Sequence, residues 1–260
     1  MFLVITSREN KIFKKAKLLK TPKGRNAEGL FVIEGIRSVR DALQKGAKLD
    51  AVIVKESVKL DFECECPVYA FAPKLFDEVS ETVTPQGVMA FCFMAKHCEN
   101  EIISQKGNCV VLCEGLQDPG NIGTIIRTAH AAFCQGVILT KGCCDLYNPK
   151  IIRSTMSSVM GVPVVTNADV KETVKLFKDA GYIVAAGALT ENAVNFYEAD
   201  LKGKHLIVIG NEGNGVSKEL LSMCDKVLKI PMRSDAESLN AAVAGSVMIY
   251  EHYRQNIKNL

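Results

Sequence analysis

Three stretches of this 260-residue chain carry the side chains best suited to chemistry. The first is DPGNIGTIIRTAHAAF, residues 118–133. Asp118, Pro119, Gly120 and Asn121 make a turn that can cap a helix, because a short polar side chain accepts from the orphan N–H groups of the first turn. Ile122, Ile125, Ile126, Ala129 and Phe133 supply that helix's apolar positions, and Arg127 sits among them. An arginine there either snorkels to solvent or pairs with a carboxylate. Buried beside isoleucines it needs an anion, so phosphate binding is the rival expectation.

The second stretch, LIVIGNEGNGVSKELL, starts at Leu206 and runs an apolar strand into a glycine loop. Gly210, Gly215 and Ser217 imitate a phosphate loop, but Val216 stands where that loop needs lysine, and Glu212 lies inside it. The Gly-x-Gly-x-x-Gly order of dinucleotide folds is also absent. A carboxylate repels phosphates, so the expected ligand is neutral or cationic here and held by backbone groups. The plainer reading is that Gly213 and Gly215 only shape a strand-to-helix turn. In the third stretch, IPMRSDAESLNAAVAGSVMIYE (230–251), Ser238 is expected to cap the last helix and Asn240 to lie in its first turn. Ala241, Ala242, Ala244 and Gly245 offer a small-residue surface for close packing.

The elements that must position these residues alternate regularly. After residue 108 the strand patterns CVVLCEGL, GVILT, VPVVT, YIVAAGAL, HLIVIG and KVLKIP are interleaved with helical patterns such as NIGTIIRTAHAAF, NPKIIRSTMSSV and DVKETVKLFKDAG. That order implies an α/β fold with a mostly parallel sheet and helices on both faces. Ligands of such sheets sit at the carboxyl ends of strands, so the loops Gly187–Leu189, Gly210–Gly215 and Ile230–Met232 are expected to form one site. The first hundred residues read as a smaller α/β unit. The polar stretch 95–108 lacks strong periodicity, which places a first domain at 1–98, a linker at 99–108 and a second domain at 109–260.

The net charge of +3 conceals an asymmetry: residues 1–48 hold twelve Lys+Arg against four Asp+Glu, a net of +8. A merely solvated surface would look the same, but a basic arm on a near-neutral body points to a polyanion. Arg8, Lys11, Lys14, Lys15, Lys23 and Arg25 are the expected contacts to such a polyanion, nucleic acid being the leading case. No apolar run approaches the ~18 residues of a membrane span, and the opening residues have the wrong charge order for a secretory signal. The ten cysteines lack a repeated C-x-x-C pair or zinc spacing, which suggests reduced thiols in a cytoplasmic protein and no metal.

NIGTIIRTA, IGNEGNGVS and IPM…SLNAAVAGSVMIYE, in that order, resemble the three motifs of the SpoU-type RNA ribose 2′-O-methyltransferases of the SPOUT superfamily, over roughly 109–251. KGRNAEGLFVIEGIRSVRDAL is similar to the small RNA-substrate-binding domain often fused to them, with Arg25, Glu34 and Gly35 fitting its pattern. The resemblance implies a trefoil-knotted cofactor site for S-adenosylmethionine, whose cationic sulfonium makes a lysine useless and Glu212 tolerable. It implies cofactor contacts at Leu189, Gly210, Asn211, Ile230, Met232 and Leu239. Arg127 becomes the catalytic group, with Asn121, Glu212, Ser238 and Asn240 orienting it and the target nucleotide. A guanidinium is not deprotonated in proteins, so Arg127 is expected to act as an electrostatic clamp and not as a literal base. The resemblance also implies a homodimer with a shared site, acting on ribosomal RNA ahead of transfer RNA. The alternatives are the same chemistry on transfer RNA, or a catalytically inactive RNA-binding protein.

Overall fold

The periodicities of the sequence resolve into two sheets in a computed structural model that describes residues 4–235 and 237–257. In chain order the elements are β1 (Val4–Ile5), α1 (Lys11–Leu18), α2 (Pro22–Glu28), β2 (Leu30–Glu34), α3 (Ile36–Gln44), β3 (Leu49–Lys55), β4 (Val68–Phe71), α4 (Pro73–Val79), β5 (Val88–Phe93) and α5 (Glu99–Ser104). Then come β6 (Cys109–Cys113), α6 (Pro119–Ala131), β7 (Gly136–Thr140), α7 (Pro149–Ser154), β8 (Val164–Ala168), α8 (Val170–Asp179) and β9 (Ile183–Gly187). The chain closes with β10 (Val194–Asn195), β11 (His205–Ile209), α9 (Lys218–Met223), β12 (Lys226–Lys229) and α10 (Ala241–Asn256). Packing divides them into a first unit, residues up to Ala95 plus Tyr147–Met160, and a second, Lys96–Leu146 plus the residues from Gly161 on.

The first unit is a mixed five-stranded sheet in the order β1-β4-β3-β5-β2. Its strands alternate, as period-two side chains must: Ile53, Phe71, Met89 and Phe91 pack under α1 and α4, while Val52, Val54, Val88 and Ala90 face α3 and α7. The helix α2 escaped the sequence reading, although Thr21 caps it, Pro22 opens it and Gly29 closes it at φ +65°. Gly24 inside it explains the miss, since glycine weakens a helix. It is needed because a Cβ there would lie 2.0 Å from the Leu18 carbonyl oxygen.

The second unit is a seven-stranded sheet, β10-β12-β9-β11-β6-β7-β8, with every pairing parallel. Leu206 and Val208 of β11 and Val110 and Leu112 of β6 face a core closed by α8 and α9. The alternate positions face the other way, where Ile209 meets Gly245 of α10. Helices therefore cover both faces, as expected.

The expected linker does not hang free. Residues 99–104 form α5, and Ile102 is fully buried in the core of the second unit. The periodic run 148–159, read as one helix of the second domain, breaks after Ser154 and packs in the first unit. There Ile152 joins the core, and Tyr147 stacks on Phe31 with ring centroids 4.5 Å apart.

Candidate active site

The site is built where the carboxyl ends of β6 and β11 lie side by side. Asp118 caps α6, its carboxylate accepting from Gly120 N at 2.6 Å and Asn121 N at 3.0 Å. Such a cap contributes about 1 kcal/mol. Ile122, Ile125 and Ile126 are fully buried and fix the helix on the sheet, each stabilising it by roughly 1.5–3 kcal/mol. Asn121, in the first turn, is thereby held 7% exposed and aimed at the glycine loop after β11.

That loop is held by its own backbone. Asn211 and Gly215 exchange two hydrogen bonds of 2.9 Å, and Asn211 Oδ1 accepts from Gly213 N and Asn214 N. Gly215 takes φ +65°. Gly210 is obligatory for another reason: a Cβ there would lie 2.2 Å from Gly215 C and 2.3 Å from Val216 N. The loop is also tied to the end of β6, by Asn211 Nδ2 donating to Gly115 O at 2.7 Å and Ser217 N donating to Glu114 Oε2 at 2.8 Å.

Glu212 is the centre of the polar network. Its Oε1 accepts from Asp118 N at 3.0 Å and Asn121 Nδ2 at 2.9 Å, and its Oε2 from Gln117 N at 3.1 Å. Partial burial pushes this carboxyl up. The donors Asn121, Asp118 and Gln117 outweigh that, and its pKa lies below the usual carboxylate value. Asn121 Oδ1 then accepts from Asn240 Nδ2 at 2.9 Å, and Asn240 Oδ1 caps α10 through Ala242 N and Val243 N. One chain of hydrogen bonds thus couples three loops to two helix starts.

Beside this chain opens a cavity of about 580 Å³. Leu189, Gly210, Asn211, Ile230, Met232 and Leu239 all line it, together with Glu212, Ser238 and Asn240. No lysine, arginine or histidine among the described residues does. A polyphosphate would find a carboxylate and no cation here, whereas a cationic or neutral ligand fits. The size suits a small-molecule cofactor.

A SpoU rRNA methylase family model matches residues 108–250, and a model of the MRM3-like substrate binding domain matches 10–90. The chain is also 36% identical, over 95% of its length and 97% of the other, to the 23S rRNA (guanosine(2553)-2′-O)-methyltransferase RlmP of Bacillus subtilis. The chain belongs to the SpoU rRNA methylase family. Among solved structures similar to this family member is the AdoMet-bound rRNA methyltransferase of Sinorhizobium meliloti, with TM-score 0.87, 29% identity, and 97% of this chain and 98% of that one covered. The SpoU methyltransferase AviRb of Streptomyces viridochromogenes, in complex with AdoMet, gives 0.85 and 29%, with 96% and 99% covered.

Two expectations for this SpoU chain, on Ser238 and Arg25, need correction, and one open alternative, on Arg127, is decided. Ser238 does not cap the last helix; Asn240 does, and Ser238 lies on the cavity wall two residues upstream. Asn wins because its side chain reaches the N–H groups of both Ala242 and Val243. Arg127 is exposed, the snorkelling alternative and not the buried one, and has no hydrogen-bond or ion-pair partner among the described residues. Six residues beyond Asn121, it sits about 120° round α6 from it, so it does not join the network of its own chain. Arg25 is 3% exposed and donates from Nη1 to the carbonyls of Leu19 and Lys20, both at 3.0 Å. It closes the corner between α1 and α2 and is not available to RNA.

The remaining expected RNA contacts lie on the surface of the first unit. Lys11 and Lys23 are exposed. Arg8 pairs with Glu78, Lys14 with Glu9, and Lys15 with Asp50 at 3.1 Å. Glu34 accepts from the Ser80 and Thr82 hydroxyls and Glu81 N, while Gly35 opens α3 at φ +104°. Sequence reasoning missed Met248, whose sulfur would lie 2.7 Å from a Cβ at Gly187 and which forms part of the cavity wall. The small-residue turn at Gly187 was the available signal. It also missed the peptide N–H groups of Gln117 and Asp118, which no side-chain pattern reveals.

Proposed function

We propose that this protein methylates a ribose 2′-hydroxyl of ribosomal RNA as a homodimer, with Arg127 reaching the cavity of the second copy. The reaction class follows from the family and its AdoMet-bound members: the protein is an S-adenosylmethionine-dependent RNA ribose 2′-O-methyltransferase. Its substrate is taken as ribosomal RNA because RlmP, similar over nearly the whole length of both chains, is a 23S rRNA enzyme. The observation that carries the reading is the cation-free cavity bordered by the Glu212–Asn121–Asn240 chain.

In this reading the backbone around Gly210, Asn211, Ile230 and Leu239 holds the nucleoside part of S-adenosylmethionine, with Leu189 and Met232 as apolar walls. When bound, the cofactor supplies an electrophilic methyl group. Glu212 keeps the loops at Gln117 and Asp118 in register with the glycine loop. Asn121 and Asn240 orient the ribose, and Ser238 offers a hydroxyl at the rim. Arg127 places permanent positive charge beside the ribose oxygen as its proton leaves.

The second copy is motivated by where Arg127 points and by what surrounds it. Phe133, just past the end of α6, and Val243 and Tyr250 on α10 are exposed apolar or aromatic groups, with Tyr253 stacked on Phe133 at 6.0 Å. An exposed patch of this kind marks an interface, and an isologous pairing would cover both copies at once. No helix among the described residues is long and apolar enough to cross a membrane, and action on ribosomal RNA supports the reading of a cytoplasmic protein.

Arg127→Ala tests the reading. Calorimetry should show near-normal S-adenosylmethionine binding, while methyl transfer to ribosomal RNA is nearly abolished. Mixing it with inactive Asn121→Ala should restore transfer that neither has alone. Retained turnover of Arg127→Ala refutes its role, and failure of the mixture refutes the shared site.

A further inference from the structure

The basic residues of α1 are largely neutralised within their own unit. Arg8 and Lys17 share Glu78, Lys14 meets Glu9, and Lys15 meets Asp50. The opposite face of that unit differs. There α3 lies beside residues 153–160, with Lys45 Nζ donating to the Ser157 carbonyl at 3.0 Å and meeting no acid. Arg153 is exposed in the last turn of α7 and has no hydrogen-bond or ion-pair partner among the described residues. Arg37 on α3 is exposed, with Asp41 only at 4.0 Å. The other nearby carboxylates are engaged: Glu34 by three donors, and Glu81 by Lys20 at 3.4 Å.

Between these cations the backbone is strained. Met156 and Ser157 take φ +48° and +65°, a region that costs free energy for residues with a Cβ. The strain serves opposite ends at the two positions. Ser157 is buried and borders a small cleft with Ser38, Glu34 and Arg153. Met156 is held out, 53% exposed. A flexible, polarizable side chain raised near cations that meet no carboxylate among the described residues suits a polyanion that also presents flat apolar faces. Single-stranded RNA has that chemistry, with phosphates for the cations and an unstacked base for the methionine.

We propose that the face formed by Lys45, Arg153 and Met156 is where the first unit grips substrate RNA, the cations taking phosphates and Met156 a splayed base. This rests on the RNA-methyltransferase reading and adds the gripping surface. Charge complementarity favours RNA over a protein partner here, since neither Lys45 nor Arg153 has a carboxylate partner among the described residues.

The test is a salt titration of binding to protein-free ribosomal RNA by the full-length chain. Lys45→Ala/Arg153→Ala should lower affinity at least about 10-fold and flatten the log–log salt slope by about 2, one per phosphate contact. Its calorimetric affinity for S-adenosylmethionine should not change. Lys17→Ala/Lys74→Ala, on the other face, should shift the slope little. Met156→Gly should melt a few degrees higher, because glycine accepts the backbone, and yet bind RNA more weakly. An unchanged slope for Lys45→Ala/Arg153→Ala, or the loss falling on Lys17→Ala/Lys74→Ala instead, overturns the proposal and leaves the methyltransferase reading intact. Met156→Gly that binds as well as wild type removes the base contact. Wild-type protein that binds no S-adenosylmethionine defeats the underlying reading.

Discussion

Replacing Asn121 by aspartate changes one NH2 to one oxygen and little else, so its effect isolates charge. In the native site Asn121 Nδ2 donates to Glu212 Oε1 at 2.9 Å. In Asn121→Asp two carboxylates face each other across that gap, with charge centres about 4 Å apart, a repulsion of ~1 kcal/mol in bulk water and ~4 kcal/mol at an effective dielectric of 20. Glu212 is exposed, so the lower half of that range applies, about 1–2.5 kcal/mol, or roughly 5- to 70-fold in rate. The same repulsion raises the pair's upper titration above that of the native Glu212, whose donors hold it low. At pH 8 both groups are ionised, and Glu212 is pushed off the Gln117 and Asp118 N–H groups. As pH falls the pair comes to share a proton, and one carboxyl again donates to the other. The assay is single-turnover methyl transfer to ribosomal RNA, read as the ratio of variant to wild type from pH 5.5 to 8.5, so that acid losses common to both cancel. The ratio should climb as pH falls. A ratio that stays flat would show that Asn121 and Glu212 are not in contact in the working enzyme.

Two further outcomes follow from other parts of the molecule. Gly210→Ala forces a Cβ to within 2.2 Å of backbone and should weaken S-adenosylmethionine binding by ~1–3 kcal/mol, whereas Gly213→Ala, whose nearest neighbour is 3.6 Å away, should bind normally by calorimetry. Equal behaviour of the two would contradict the loop geometry. Burial pulls the His252 pKa down to about 4, against the Gly203 carbonyl that accepts from it and with His205 adding to the depression. The unfolded histidine takes its proton near 6.5, so stability is full above that pH and falls by up to ~1.4 kcal/mol per unit between 6.5 and 4. Urea midpoints at pH 7.5 and 5.5 should therefore differ less in His252→Gln than in wild type.

The sheet of the second unit was legible because each strand is a short apolar run with a turn signal at its end, and the three loops expected to converge do line one cavity. Asp118 could be read as a cap from its place before Pro119. Ser238 and Asn240 could not be ranked, since both precede an apolar run by a cap-like distance and only the path of the loop decides. Arg127 left two readings open for a related reason. Its neighbours Ile125 and Ile126 are buried, but side chains on a helix diverge by 100° per residue, so adjacency in sequence says little about burial. The lysines of α1 showed their charge but not their partners, because Glu78 and Asp50 lie far along the chain.

The excursion between β7 and β8 bears on how the chain is made. Tyr147 covers Phe31 and Ile152 fills the core on the α3 side, so the amino-terminal unit remains incomplete until Met160 has left the ribosome, 65 residues after Ala95. A protein cut at residue 95 would expose that apolar floor and tend to aggregate. The two halves are therefore better thought of as one interlaced product of translation than as modules to be exchanged at a boundary.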